Sequence, residues 1–463
     1  MTAEHLTQLM LDVSRLGLLL LAGKLLRVKV PLFRRLYLPS AVIAGLLGLL
    51  LGPQVLGHAG VEIVSAELQG AWALYPGRLI NVVFACLFLG VALPSWKEVR
   101  QEGGPQFCYG WVVGMGQYLI GLLLCVLLLT PLFGVPPFFG CLLEIGFSGG
   151  HGTAAGMRGT FETLGFSSGA DLGLMSATFG IVFSVVFGMA LIQAAVRKGV
   201  TRVLRDDDDA TGKRTDGLLS EHERMPAAVH TISPLSLESF SFHLAFVGAA
   251  IFIGYGILLG IRALSAQMEP DLFRSFPLFP LAMLGGLFLQ AAAEKLGPAR
   301  YLDRGTFERI LGVALDFLVV AAVASVRLDV IASYFLPFVI LMGVGLAWML
   351  WATWFLAPRM LPDAWFERGI AEFGMQTGVT AMGLLLLRVV DPHYETPAAK
   401  SFGFKQMIYE PLLGGGFITA SAPLIIVHYG VGTATAVAAA TMVIALLPSL
   451  FSGRLLRLRN HGQ

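Results

Sequence analysis

The chain has 463 residues, of which 56% are hydrophobic and only 13% charged, with a formal net charge of +2. Soluble domains carry about 25% charged residues, so this composition excludes an ordinary soluble globular protein, and the near-neutral balance gives no footprint for nucleic acid. Apolar runs recur along the whole sequence, each long enough for a hydrocarbon core of about 30 Å, and they predict an all-α polytopic membrane protein.

The N-terminal "MTAEHLTQLMLD" lacks a basic n-region and a small-residue cleavage site, so the first apolar run is expected to stay as a span. Spans are predicted near 8–27, 37–57, 78–94, 107–133, 171–196, 241–264, 277–293, 306–327, 335–356, 404–428 and 433–451. Two further apolar segments, near 138–157 and 367–388, are interrupted by glycines and polar residues. Residues 197–240, with "RDDDDATGKRTDG" and "SEHERMP", read as a hydrophilic linker between two apolar halves. Cys86, Cys108, Cys125 and Cys141 show no metal-ligand spacing and read as packing residues.

Basic clusters set the orientation, because short cytoplasmic loops are enriched in Lys and Arg. The clusters are Arg27/Lys29/Arg34/Arg35, Lys97/Arg100, Arg197/Lys198/Arg202/Arg205, Lys295/Arg300/Arg304, Arg359/Arg368 and Arg454/Arg457/Arg459. All fall in the cytoplasm if the N-terminus is outside, the C-terminus is inside, and the two interrupted segments do not cross. Each half then has an odd number of crossings, five, which makes the halves inverted repeats. The first repeat is 1–196, with a re-entrant or broken-helix segment near 138–157. The second is 241–430, with its own near 367–388, and 431–463 adds an extra C-terminal helix and a basic tail. Inverted repeats with broken helices are the architecture of secondary transporters.

The first interrupted segment contains "EIGFSGGHGTAAGM", residues 144–157. Backbone that leaves helical geometry inside a bilayer must be buried in protein or line a wet cavity. Gly149, Gly150 and Gly152 permit such a turn, and Ser148, His151 and Thr153 add side-chain donors and acceptors. A helix starting near Gly152–Thr153 would aim free N–H groups at an anionic solute, while displaced carbonyls hold a small cation. The second segment, "FGMQTGVTAMG" at 373–383, offers Gln376, Thr377, Gly378 and Thr380. Close helix packing is the competing reading for both, and it has more force for the second.

The runs Ser148-Gly149-Gly150-His151-Gly152-Thr153 and Ala177-Thr178-Phe179-Gly180 resemble the signature region of the bacterial sodium/glutamate symporter family. That resemblance implies Na⁺-coupled uptake of glutamate across the cell (inner) membrane, two five-span repeats with re-entrant loops, and a homodimer. It implies no cofactor, with Na⁺ as the coupling ion and a small anionic substrate as the partner. The best-known members carry Gly, Ala-Thr-Pro and a downstream Asn in the second segment, where this chain has Gln376, Thr377-Gly378-Val379 and Leu384. The first motif is intact and the second rewritten, which marks a divergent branch. A Na⁺ site is expected near Ser148, Thr178 and Thr377.

Intramembrane ionisable residues are functional candidates because their burial is costly. Asp316 is read as a coupling carboxylate, either a Na⁺ ligand or a proton carrier, against passive pairing with a cation. Asp171 reads as a helix cap, Glu410 before Pro411 as a kink, and Arg158, Arg388 and Lys405 as snorkelling or substrate-attracting cations. The alternatives to Na⁺ symport are a proton-coupled carboxylate transporter, a passive channel, and an intramembrane hydrolase using Ser148 with His151. No Gly-x-Ser-x-Gly elbow supports the hydrolase, and no Walker A motif supports ATP-driven transport.

Overall fold

A bilayer offers no water to unpaired N–H and C=O groups, and a helix satisfies them segment by segment. The described residues of the computed structural model are accordingly helical, with no strand among them. They are residues 3–451 apart from 36–37, 62, 94–96, 98–101, 205–225, 227, 234, 267–275 and 393. Most of the predicted linker and all of the basic tail therefore lie outside the described residues.

Among the described residues, six helices are long and apolar enough to cross a membrane. They are Gly104–Phe133, Gly169–Arg197, Ser239–Ser265, Phe335–Met360, Trp365–Val390 and Val431–Ser449. The predicted runs near 8–27, 277–293 and 306–327 fold as helices Ala3–Lys29, Phe279–Leu296 and Arg304–Ala324. Three predicted spans differ from expectation. The run near 37–57 holds only the 11-residue helix Ser40–Leu50, because Gly52 and Pro53 end it. That near 78–94 holds the 10-residue helix Pro76–Ala85, closed by turns through Gly90 at φ 72°. The run near 404–428 is two helices, Ala398–Tyr409 and Phe417–Tyr429, parted by Pro411 and three consecutive glycines.

The chain divides into two compact units, and each draws on both sides of the central linker. Unit 1 comprises 1–93, 155–163 and 214–329. Its core gathers Ala85, Leu89, Val247, Ala250, Ala282 and Phe307. Small residues let backbones approach closely there: at Gly254, a side chain would meet the Leu281–Ala282 backbone at 2.6 Å. Polar side chains satisfy the backbone where the short helices end. Arg304 Nη1 donates to the carbonyls of Cys86, Leu87 and Leu89 at 2.9–3.1 Å. Gln54 and Gln69 donate to the carbonyls of Val326 and Ala324 at 2.8 Å, which caps helix Arg304–Ala324. Asp303 caps its other end, accepting from Thr306 N at 2.7 Å.

Unit 2 comprises 94–154, 164–213 and 330–463. Two of its long helices share an irregularity. Gly104–Phe133 widens to a π-helical turn at Cys125–Leu129 just before Pro131, and Phe335–Met360 does so at Ala352–Leu356 just before Pro358. A proline supplies no N–H and its ring crowds the carbonyl four residues back; a π turn accommodates both effects. Each widened helix leads directly into one of the interrupted segments.

Candidate functional site

Three breaks in helical backbone lie within unit 2. The first follows helix Leu142–Phe147, whose last turn opens because the amides of Ser148 and Gly149 both donate to the Glu144 carbonyl, at 3.1 and 2.9 Å. Gly150 then takes φ 71°, a left-handed conformation that favours glycine, and helix Gly150–Gly156 begins there. It begins two residues earlier than expected and has only seven residues, so little dipole can gather at its N-terminus.

The second break interrupts Trp365–Val390 at Gly378 (φ −146°, ψ 34°) and Val379 (φ 63°, ψ 172°). A β-branched residue in the left-handed region costs about 1–3 kcal/mol and persists only where its surroundings enforce it. The carbonyls on the approach to the break have partners. Phe373 O accepts from Thr377 Oγ1 at 2.6 Å, and Gln376 O from Gln117 Nε2 at 2.8 Å. Gly374 O faces Ser184 Oγ at 3.5 Å. The Thr377 carbonyl lies directly against Gly180, where any side chain would displace it. Gly180 therefore belongs to the site as a point of close approach.

The third break joins Tyr409 to Phe417, with Gly414 and Gly415 at φ 71° and 103°. These breaks meet. A side chain on Gly150 would strike Val379 Cγ1, and one on Gly414 would sit 3.3 Å from Ser148 Oγ. Glu144, fully buried, ties the first break to the third. Its Oε1 accepts from Gly414 N at 2.7 Å and Thr419 Oγ1 at 3.0 Å, and its Oε2 from the Tyr118 hydroxyl at 2.7 Å.

A polar network continues from the second break. Gln376 Nε2 lies within 3.0 Å of the Gly110 carbonyl and Glu372 Oε1, and 2.7 Å from the Tyr409 hydroxyl. Lys405 Nζ pairs with Glu372 Oε1 at 2.7 Å, both side chains fully buried. Thr380 donates to Glu410 Oε1 at 2.6 Å and accepts from Gln406 Nε2 at 2.7 Å. Lys405 thus lies buried in an ion pair, where snorkelling was one expectation.

The structure brings most of the predicted residues together. Ser148, Gly149 and Gly150 form the first break, and Gln376, Thr377 and Gly378 lead into the second. His151 Nε2 lies 3.0 Å from Thr178 Oγ1, whose own proton goes to the Leu174 carbonyl; the imidazole is therefore the donor. Gly152 and Thr153 lie inside helix Gly150–Gly156, and the buried Thr153 hydroxyl has no hydrogen-bond partner among the described residues. Ser148 Oγ faces Met375 Sδ at 3.9 Å, so it and His151 turn to different partners and form no dyad. Asp316 belongs to unit 1, where it lines an open groove of about 800 Å³ with Ser14, Lys24, Arg27 and Ser40. Sequence reasoning missed Glu144, Glu372, Gln117 and Tyr409. The intramembrane carboxylates were visible in the sequence, and Gly414–Gly416 signalled the third break, but neither reveals its partners.

The family model of the sodium/glutamate symporters matches residues 7–383. The chain is similar to the sodium/glutamate symporter of Escherichia coli (strain K12), 23% identical over 308 residues, covering 65% of this chain and 70% of that protein. The sodium/glutamate symporter of Shigella flexneri matches to the same extent. No solved structure matches. The intact glycine motif at the first break and a match across most of the chain agree: this chain is a divergent member of the sodium/glutamate symporter family.

Proposed function

We propose that the chain is a Na⁺-coupled secondary transporter that imports glutamate or a closely related small dicarboxylate, with no enzymatic step. The observation that carries this reading is the contact of the two interrupted segments through Gly150 and Val379. Non-helical backbone inside a bilayer is tolerated where it lines a solute path. Three breaks in contact supply carbonyls, amides and hydroxyls around one locus. The oxygens of Ser148, Thr178 and Thr377 are the donor set for the transported Na⁺, a hard-oxygen set that suits a small cation. The substrate's carboxylates would meet His151 and the amides of the breaks, while the transported cation offsets their charge.

Coupling follows from shared occupancy. If Na⁺ organises the breaks that the anion also touches, each raises the affinity for the other by the same factor. One charge moving through 100 mV releases about 2.3 kcal/mol, before any concentration gradient is counted. The two π turns before proline, each leading into a broken segment, support an inverted repeat of five-helix halves. We extend the reading to a homodimer in the cell (inner) membrane, with the N-terminus outside and the C-terminus cytoplasmic. Asp316, in its groove, would serve as a coupling carboxylate, as a Na⁺ ligand or a proton carrier.

Proton coupling is the second reading, favoured by the buried carboxylates Glu144 and Glu372 beside the breaks. Reconstituted protein would separate the two. Labelled glutamate, aspartate and other dicarboxylates are offered to proteoliposomes under a Na⁺ gradient or a pH gradient. Saturable uptake driven by Na⁺ alone is expected, and substrate should stabilise the purified protein by about 2.7 kcal/mol at a hundredfold excess over Kd. Uptake driven by the pH gradient and indifferent to Na⁺ would replace the sodium reading.

A further inference from the structure

The Lys405–Glu372 pair has a construction that fold stability alone does not require. Both side chains are fully buried, with Nζ 2.7 Å from Glu372 Oε1. Lys405 also donates to Gln406 Oε1 at 2.7 Å and lies over the Tyr409 ring, 3.5 Å from its centroid. Met375 Sδ stands 3.6 Å from the ammonium, and Glu410 adds a second negative charge nearby. On the carboxylate side, Gln106 Nε2 donates to Oε2 and Gln376 Nε2 to Oε1, each at 3.0 Å. Gly110 makes the room, since a side chain there would lie 2.6 Å from both Glu372 Oε1 and Lys405 Cε.

Replacing a buried ion pair by neutral groups is often neutral for stability, whereas removing one partner strands a charge at a cost of several kcal/mol. Glu372 precedes the second break by six residues, and Lys405 sits on the helix leading to the third. We propose that the Lys405 ammonium is a tethered cation that occupies, at Glu372, the place a free monovalent cation would otherwise take. The carboxylate of the second broken segment is then charge-compensated by the chain itself, and Na⁺ is left to the uncharged oxygens of Ser148, Thr178 and Thr377. The inference rests on the Na⁺-coupled reading only for the identity of the free cation.

Thermal unfolding of the purified full chain tests this, with NaCl exchanged for choline chloride at fixed ionic strength. Lys405→Gln should be destabilised in choline and regain several degrees of Tm in Na⁺, a response larger than that of the parent protein. Adding Glu372→Gln to that variant should abolish the extra response. A Lys405→Gln variant that gains no Na⁺ response, or recovers only on acidification, overturns the proposal. If Lys405→Gln cannot be purified in either salt, the double variant decides. A Na⁺ response equal to the parent's supports the tethered cation, and a diminished one would mean that Na⁺ already binds at Glu372. Failure of the transport reading would appear separately, as absence of Na⁺-driven uptake by the parent protein, and leaves the comparison of variants intact.

Discussion

Gly150→Ala tests whether the first two breaks touch. Gly150 has φ 71°, and an added Cβ meets Val379 Cγ1. The left-handed conformation costs an alanine about 1–2 kcal/mol, and overpacking against a stiff β-branched side chain adds about 1–3 kcal/mol. The single variant should therefore lose about 2–5 kcal/mol. Val379→Ala removes the obstructing methyl groups and leaves only the backbone cost at position 150. The double variant should lose about 1–2 kcal/mol beyond the loss of Val379→Ala alone, which gives a favourable coupling of about 1–3 kcal/mol. In domains of about 150–250 residues, 1 kcal/mol moves Tm by about 2–4 °C, so thermal unfolding of purified protein resolves the coupling. Additivity of the two substitutions within about 0.5 kcal/mol would refute the contact.

Glu144→Ala strands the Gly414 amide and the Tyr118 and Thr419 hydroxyls. Because hydroxyls rotate and an amide does not, a loss of about 2–5 kcal/mol is expected, with Glu144→Gln milder; equal loss in both, read by thermal unfolding, would argue against the acceptor role. Thr178→Val removes the acceptor of the His151 N–H while keeping the shape. Na⁺ affinity, read from Na⁺-dependent substrate binding, should fall with Val and largely return with Ser. Asp303→Asn weakens the cap on helix Arg304–Ala324 by a fraction of the about 0.5–2 kcal/mol a cap contributes. Partial burial raises the Asp303 pKa, but hydrogen bonds from Thr306 and Val229 and the nearby His243 outweigh it, and the net shift is downward. A carboxylate depressed in the native state stabilises above its unfolded pKa and loses that contribution as pH falls through the native value. The Tm gap between parent and Asp303→Asn should thus hold at neutral pH and shrink only below about pH 4.

Composition and apolar periodicity made the helical membrane class legible, and the crowding of Gly149, Gly150 and Gly152 located the first break. The second break was legible as a segment, but its pivot was not. Val379 has no sequence property that marks positive φ; its conformation is imposed by what surrounds it. Residues 404–428 misled because their hydropathy is continuous through Gly414–Gly416, and a hydropathy average does not register backbone geometry. Glu144 sat inside the decisive motif, yet its partners are Tyr118 on the preceding long helix and Gly414 and Thr419 at the third break, 270 and 275 residues further on, and one sequence carries no direct record of such pairings. Gln54 and Gln69, which cap a helix more than 250 residues away in sequence, were illegible for the same reason.

The short helices of unit 1 have a mechanical consequence. At 1.5 Å per residue, Ser40–Leu50 and Pro76–Ala85 rise only about 15–17 Å, about half of a hydrocarbon core of about 30 Å. In the same unit, the 27 residues of Ser239–Ser265 rise about 40 Å. No single lipid length matches both. A thin bilayer suits the short elements and tilts the long one; a thick bilayer draws the turns that Gln54, Gln69 and Arg304 satisfy deeper into hydrocarbon. Mismatch costs fractions of a kcal/mol per ångström, and over such a spread of lengths it reaches the scale of a conformational equilibrium. Acyl-chain length is thereby a load on this fold, set by the host membrane and independent of any ion gradient.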